Sequence, residues 1–309
     1  LLLWLLAGFA ISNFAVGFSN SYYLTLALRI IGGVAAGILW AMITAYGMSI
    51  VAEHHHGRAI AIIMAGNTLG VSIGMPAMTW VGNNFGWRQE FFALGALITL
   101  ILVLCFLFLP SVKGEKVTAA NNPIALLKNK HVLNILLLTL LGVTAHYGAY
   151  TYITLLVQRL ALPGGIEVAL LLFGVGSFTS VMAAMKFTDS ALRMFTATMF
   201  GLGFISLGLI YLEPGVAAIY YAALFVWGIA FGPLVTMLQA AVARQSTSAK
   251  AIATSVQSSM FNFSIMLATS VGGYLLTRAD IMAVVLLSTV LLLVATVISF
   301  VSKATFAED

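Results

Sequence analysis

Two residues with titratable or charged side chains sit well inside long apolar stretches of this 309-residue chain. Arg29 lies about seven residues into one stretch, roughly 10 Å deep if the stretch is helical with a 1.5 Å rise per residue. A charge at that depth needs a partner or water. Arg29 is therefore either a relay group or a structural donor to neighbouring carbonyls, and both roles stay open. His146 lies in Val143-Thr-Ala-His146-Tyr147-Gly148-Ala-Tyr150-Thr-Tyr152. An ordinary pKa of about 6.5 suits a proton carrier near neutral pH; a buried histidine donating one N–H to a neighbour is the plainer alternative. Arg29 and His146 are the proton-coupling candidates. All nine carboxylates, by contrast, fall in loops or at the ends of apolar stretches.

Uncharged polar and aromatic groups at depth form a second set: Asn67, Gln239, Gln257 and Asn262, with Trp40, Trp227, Tyr150 and Tyr152. Amides pair with hydroxyls and nucleobase edges, and tyrosine or tryptophan rings stack on a flat ligand while offering a polar tip. Each one singly is more often a contact between helices than a ligand contact. As a set they suit a neutral polar small molecule better than a strong cation, which would want a buried acid. Two other constellations carry less. The consecutive His54-His55-His56 cannot all face one ion from a short loop, so a solvated loop is expected and no metal site. Ser177 and His146 could be named as a nucleophile and base, but no carboxylate supports the histidine, so an intramembrane enzyme is the weakest class. Cys105 is the only cysteine, which excludes an intrachain disulfide and a thiol metal site.

These residues need elements that hold them at depth, and the composition says which. The chain is 61% hydrophobic and 7% charged, against about 25% charged in soluble domains. The expected fold is an all-α polytopic membrane protein. Ten spans are expected, at about 1–18, 22–51, 58–81, 89–110, 131–158, 164–185, 193–212, 216–243, 250–276 and 280–302. Residues 111–130, with Pro110 just before them and Pro123 and four lysines within, form the expected linker between a bundle over 1–110 and a second over 131–309. With alternating spans, ten of the 14 Lys and Arg fall on one side and only Arg88, Arg159 and Arg278 on the other. The positive-inside rule then makes the linker and the C-terminus cytoplasmic. The net charge of +5 is a matter of topology, and nucleic-acid binding is not suggested. Arg58-Ala-Ile-Ala61 opening the third span and Lys250-Ala-Ile-Ala253 opening the ninth hint at a repeat six spans apart, the pattern of transporters built from parallel halves. Nothing in the sequence indicates an oligomer. The apolar run at Leu1 has no Met or charged region before it, so the chain is read as a fragment of a longer one.

The third span is unusual. Gly66, Gly70 and Gly74 recur every four residues with Pro76 just beyond. In water this would be a poor helix; in lipid such glycines let a second helix come close, and Pro76 predicts a bend.

Taken in order, these stretches resemble the major facilitator superfamily, specifically its twelve-helix drug:proton antiporter branch with the bacterial sugar-, nucleoside- and arabinose-type efflux members. Leu28-Arg29-Ile-Ile-Gly32-Gly33-Val-Ala-Ala-Gly37 resembles the Arg-and-glycine motif of the family's fourth helix. His56-Gly57-Arg58-Ala59 resembles the basic loop that follows. Gly66 to Gly82 resembles the fifth-helix antiporter motif, with Gly74-Met75-Pro76 where that motif has Gly-Pro. Phe85-Gly86-Trp87-Arg88 resembles the opening of the sixth helix, and Trp227-Gly228 to Pro233 and Phe261-Asn262-Phe263 resemble the tenth and eleventh. The resemblance implies helices three to twelve of twelve, with the first two missing. It also implies a bacterial inner-membrane protein that moves a sugar, nucleoside or antibiotic outward by alternating access, with no cofactor and the proton gradient as its energy source. The coupling acid would then lie in the missing helices unless His146 serves. A chain lacking those helices could also be a non-transporting protein.

Overall fold

Inside a bilayer the backbone has no water to bond, so apolar stretches of this length must satisfy their hydrogen bonds internally. In a computed structural model of the chain, every regular element among the described residues is helical. The structure describes residues 1–52, 55, 59, 62, 63, 66, 70, 74–110, 112, 126–246 and 250–306. The chain divides into two compact units, Leu1–Lys116 and Val117–Asp309.

The first unit contains α1 (Leu2–Phe18), α2 (Tyr22–Ser49), α3 (Met75–Phe85) and α4 (Trp87–Phe108). Helix α1 packs against both α2 and α4, and small residues set the spacing. A methyl on Gly17 would sit 2.5 Å from the Phe92 ring, and one on Gly32 would sit 2.6 Å from Ser12 Oγ. The Ser12 hydroxyl donates to the Leu28 carbonyl at 2.5 Å, a bond between helices that leaves no bare donor in lipid. The chain reverses between α3 and α4 at Gly86, whose φ of +95° is a conformation glycine adopts without a steric penalty. Arg88 then ties the start of α4 to the α1–α2 corner. It donates to the Ser19 carbonyl at 3.2 Å and to Asn20 Oδ1 at 2.9 Å, with its guanidinium 4.4 Å from the Trp87 ring centroid. The Phe85-Gly86-Trp87-Arg88 stretch is thus a turn and a clamp.

In the glycine-rich span, methyls on Gly66, Gly70 and Gly74 would each meet nothing within 4 Å among the described residues. The backbone at Gly70 and Gly74 is wound more widely than an α-helix, and Gly74 keeps helical dihedrals, φ −63° and ψ −47°, into α3, which carries Pro76 near its start. Asn67 lies outside the described residues, as do His54 and His56.

The second unit contains α5 (Lys130–Thr151), α6 (Ile153–Arg159), α7 (Gly165–Ser190), α8 (Leu192–Tyr211), α9 (Ala217–Phe231), α10 (Leu234–Arg244), α11 (Lys250–Arg278) and α12 (Ile281–Val301). Helix α5 packs on α11 and α12, α7 on α9, and α8 on α9 and α12. Ile135, Leu138, Phe200, Leu207, Trp227 and Met237 are among its fully buried side chains. Buried hydroxyls mostly return to their own helix, as when Thr139 donates to the Ile135 carbonyl at 2.9 Å and Thr289 to the Val285 carbonyl at 2.8 Å. Ser206 instead donates across to the Ala223 carbonyl of α9 at 2.7 Å. Asp280 caps α12 by accepting from the Met282 and Ala283 amides at 3.0 and 3.3 Å.

Among the described residues seven helices are long and apolar enough to cross a membrane, and Leu2–Phe18 and Gly165–Val181 are shorter apolar helices. Much of the expected span at 58–81 lies outside the described residues. Two expected spans carry an irregularity. The span at 216–243 remains one membrane-length stretch, Ala217–Arg244, with a turn between Phe231 and Leu234, because Pro233 supplies no N–H and crowds the carbonyl four residues earlier. The span at 131–158 breaks at Tyr152, with φ −108° and ψ +21°, where no proline or glycine gives a local signal.

Candidate functional site

Helix α5 carries His146 and Tyr150 one turn apart on the same face, the spacing at which helical side chains meet. Their rings lie 5.0 Å apart at 24°. Helix α9 carries Trp227 and Phe231 at the same spacing, and α7 brings Phe173. Helices α7 and α9 approach closely enough for this because each presents a glycine to the other's backbone. A methyl on Gly228 would collide with the Phe173 carbonyl oxygen, and one on Gly176 with the Phe225 carbonyl oxygen. Small residues that let backbones touch are the usual means of tight packing in a membrane.

The result is an aromatic box around one imidazole. His146 stacks on Phe231 at 3.7 Å and 13° and on Phe173 at 5.7 Å and 17°. It meets Trp227 edge-on at 5.6 Å and Tyr147 at 4.8 Å. His146 is 6% exposed and Trp227 is fully buried. His146 Nδ1 and Trp227 Nε1 have no hydrogen-bond partner among the described residues. Phe261 of α11 extends the wall, 6.0 Å from Tyr147. One turn earlier on α11, Gln257 is fully buried with neither its amide oxygen nor its amide nitrogen partnered among the described residues. Buried polar atoms are paired in the great majority of cases, and an exception calls for a reason. Here flat faces are combined with an indole N–H and an imidazole nitrogen, and the unpartnered Gln257 amide stands on the adjoining helix. That combination can hold a molecule with a flat or C–H-rich face and hydroxyl or carbonyl groups at its edge.

The structure brings together His146, Tyr150 and Trp227 of the expected site residues, with Gln257 on the adjoining helix. The other expected residues have surroundings of their own within each unit. The Tyr152 hydroxyl donates to the Thr269 carbonyl at 2.8 Å, and methyls on Gly272 and Gly273 would lie 2.7 Å and 3.0 Å from its ring and hydroxyl. Tyr152 therefore locks α5 to α11. Tyr152→Phe is expected to lower stability by about 1 kcal/mol and to leave the KM for any transported solute within twofold. A melting curve and a transport assay on the same preparation check both. Asn262 is exposed and its amide donates back to the Ser258 carbonyl of its own helix at 2.9 Å. Gln239 is half-buried on α10. Trp40, 39% exposed on α2, belongs to the first unit. So does Arg29, which is exposed on α2 with its guanidinium 5.3 Å from the Phe91 ring centroid and no carboxylate partner among the described residues. That is a cation–π contact. Tyr147, Phe173 and Phe231 were not among the expected residues. Phe231 carried a signal in hindsight, standing one turn after Trp227 and immediately before Gly232-Pro233.

The sequence matches the Major Facilitator Superfamily over residues 1–253. It is 29% identical over 277 residues to "Inner membrane transport protein YdhP" of Escherichia coli (strain K12), covering 88% of this chain and 70% of that protein. It is 26% identical over 271 residues to "Probable sugar efflux transporter" of Mannheimia succiniciproducens, covering 86% of this chain and 67% of that protein. Among solved structures, the human organic anion transporter MFSD10 (TETRAN) is similar with a TM-score of 0.70 at 18% identity, covering 96% of this chain and 76% of that one. At that identity the likeness speaks for the fold.

Proposed function

This chain belongs to the Major Facilitator Superfamily, and we propose that it works as a proton-coupled exporter of a small neutral polar or drug-like solute such as a sugar, nucleoside or antibiotic. The observation that carries this reading is the aromatic box of the second unit, with the indole N–H of Trp227 and Nδ1 of His146 buried and unpartnered. Helical membrane proteins satisfy buried donors wherever they can; this unit does so for the hydroxyls of Thr139, Ser206, Thr289 and Ser299, while those of Thr196 and Ser246 are also without a partner among the described residues. A donor left over beside stacked rings is poised for a ligand. The similar proteins named for inner-membrane transport and for sugar efflux support the outward direction and a setting in a bacterial inner membrane. The linker and the C-terminus would face the cytoplasm by the Lys/Arg bias.

Tyr150 would stack on the solute, Trp227 would donate to it, and Gln257 would pair with its hydroxyl or carbonyl edge when the bundle opens. Arg29 and His146 are the groups through which coupling would act in these spans. The test is uptake into inverted vesicles of candidate sugars, nucleosides and antibiotics, with and without an imposed pH gradient. Accumulation that collapses with the gradient is expected. Accumulation indifferent to it would remove proton coupling while leaving the solute site standing.

A further inference from the structure

A second site lies away from the aromatic box, where α5 begins and α12 ends. These two helix ends and the 3-10 turn Lys303–Thr305 surround a cleft of about 600 Å³. Lys130, His131 and Lys303 line it, and no acidic residue does. Among the described residues neither Lys130 nor Lys303 has a carboxylate partner; Glu308 and Asp309 lie outside those residues. From the lysine rim an apolar strip runs down α5. Leu133 and Leu137 follow Lys130 at the three- and seven-residue spacing of one helix face, and both are exposed, at 46% and 42%. Val301 of α12 adds to the strip and is 75% exposed.

The tail forming one wall is fastened in place. Asn134 donates to Thr305 Oγ1 at 2.9 Å, and the Gln245 amide donates to the Ala304 carbonyl at 3.3 Å. Thr305 and Phe306 are buried, at 3% and 5% exposure. The cleft therefore has a fixed polar floor, a cationic rim and an apolar strip leading away from the rim.

We propose that this cleft binds an anionic glycerophospholipid, with the phosphate between Lys130 and Lys303 and an acyl chain along Leu133, Leu137 and Val301. The charge sets the headgroup, because lysines at a membrane surface attract anionic lipid. The strip sets the rest: Leu137 lies roughly 10 Å along α5 from Lys130 at 1.5 Å per residue, which is a span for the glycerol and first methylenes and is of no use to free phosphate.

The test is native mass spectrometry of the detergent-purified chain titrated with phosphatidylglycerol, with phosphatidylcholine of the same acyl chains, or with inorganic phosphate. Wild type is expected to retain phosphatidylglycerol in preference to phosphatidylcholine, with phosphate at the same concentration failing to displace it. The Lys130→Gln/Lys303→Gln variant is expected to lose affinity for phosphatidylglycerol by on the order of 30-fold, about fivefold for each cation. The control Arg278→Gln, two residues before the Asp280 cap at the start of α12 and so at the far end of that helix from the cleft, should keep it. Melting curves establish that each variant is folded. A double variant that binds phosphatidylglycerol like the control overturns the proposal, as does equal retention of the two lipids by wild type. Displacement of the lipid by phosphate alone would show a bare anion site and overturn it too.

Discussion

Gly228→Leu is expected to separate α7 from α9 and lower stability by about 3 kcal/mol, the upper end for overpacking a close contact, with transport lost alongside. The added Cβ would fall against the Phe173 carbonyl, within 2.8 Å of its carbon and 3.0 Å of its Cα. Backbone atoms cannot swing aside as a side-chain tip can, so the helices must part. In a bilayer no hydrophobic gain between the helices offsets the loss of close packing. Phe173 and Trp227 ride on those two helices, so their separation also opens the box around His146. Gly174→Leu is the matched control. It is two residues from Gly176 on α7, and its methyl would meet nothing within 4 Å. Its melting temperature should stay within a degree or two of wild type. Equal melting of Gly228→Leu and Gly174→Leu would mean the contact does not hold the unit together.

The second large effect has the opposite sign on stability. Gln257→Leu is expected to stabilise the folded protein by about 1–3 kcal/mol while reducing transport tenfold or more. The amide is fully buried with both polar atoms unpartnered, and relieving an unsatisfied buried group is worth about that much. Leucine has nearly the same bulk and no polar atoms to leave bare. A residue that destabilises its resting surroundings yet is needed for turnover is the familiar exchange of stability for activity. Thermal melts in detergent and initial transport rates on the same preparation separate the two quantities. A variant that is destabilised would show that Gln257 has a structural partner, and one that transports at the wild-type rate would remove it from the solute site.

Much of this architecture was legible because lipid narrows the choices. Long apolar runs with almost no charge admit only helices, and Phe85-Gly86-Trp87-Arg88 was legible as a helix opening, though the positive φ at Gly86 was not. Trp227, Tyr150 and Gln257 were legible as polar tips in apolar surroundings. Phe173 and Phe231 were not, because helices apolar on every side carry no amphipathic stripe to mark an inner face. The break at Tyr152 was hidden for a different reason: it accompanies a contact with Thr269 and Gly272 more than a hundred residues on, and nothing local signals it. The glycines show the limit of spacing: Gly174 and Gly176 stand two apart on α7, yet a methyl on Gly174 would meet nothing within 4 Å while one on Gly176 would meet the Phe225 carbonyl oxygen. Spacing tells which glycines could face a neighbour, and only tertiary structure supplies the neighbour.

The solute site is tested most directly by equilibrium binding of the transported solute to purified Trp227→Phe and wild type, with melting curves in the same buffer. Phenylalanine keeps the aromatic wall and removes one indole N–H that has no protein partner. If that N–H is held ready for the solute, Trp227→Phe melts no lower than wild type and binds about tenfold to a hundredfold more weakly, the value of one buried hydrogen bond. Unchanged affinity at unchanged stability would contradict the assignment of the aromatic box as the solute site.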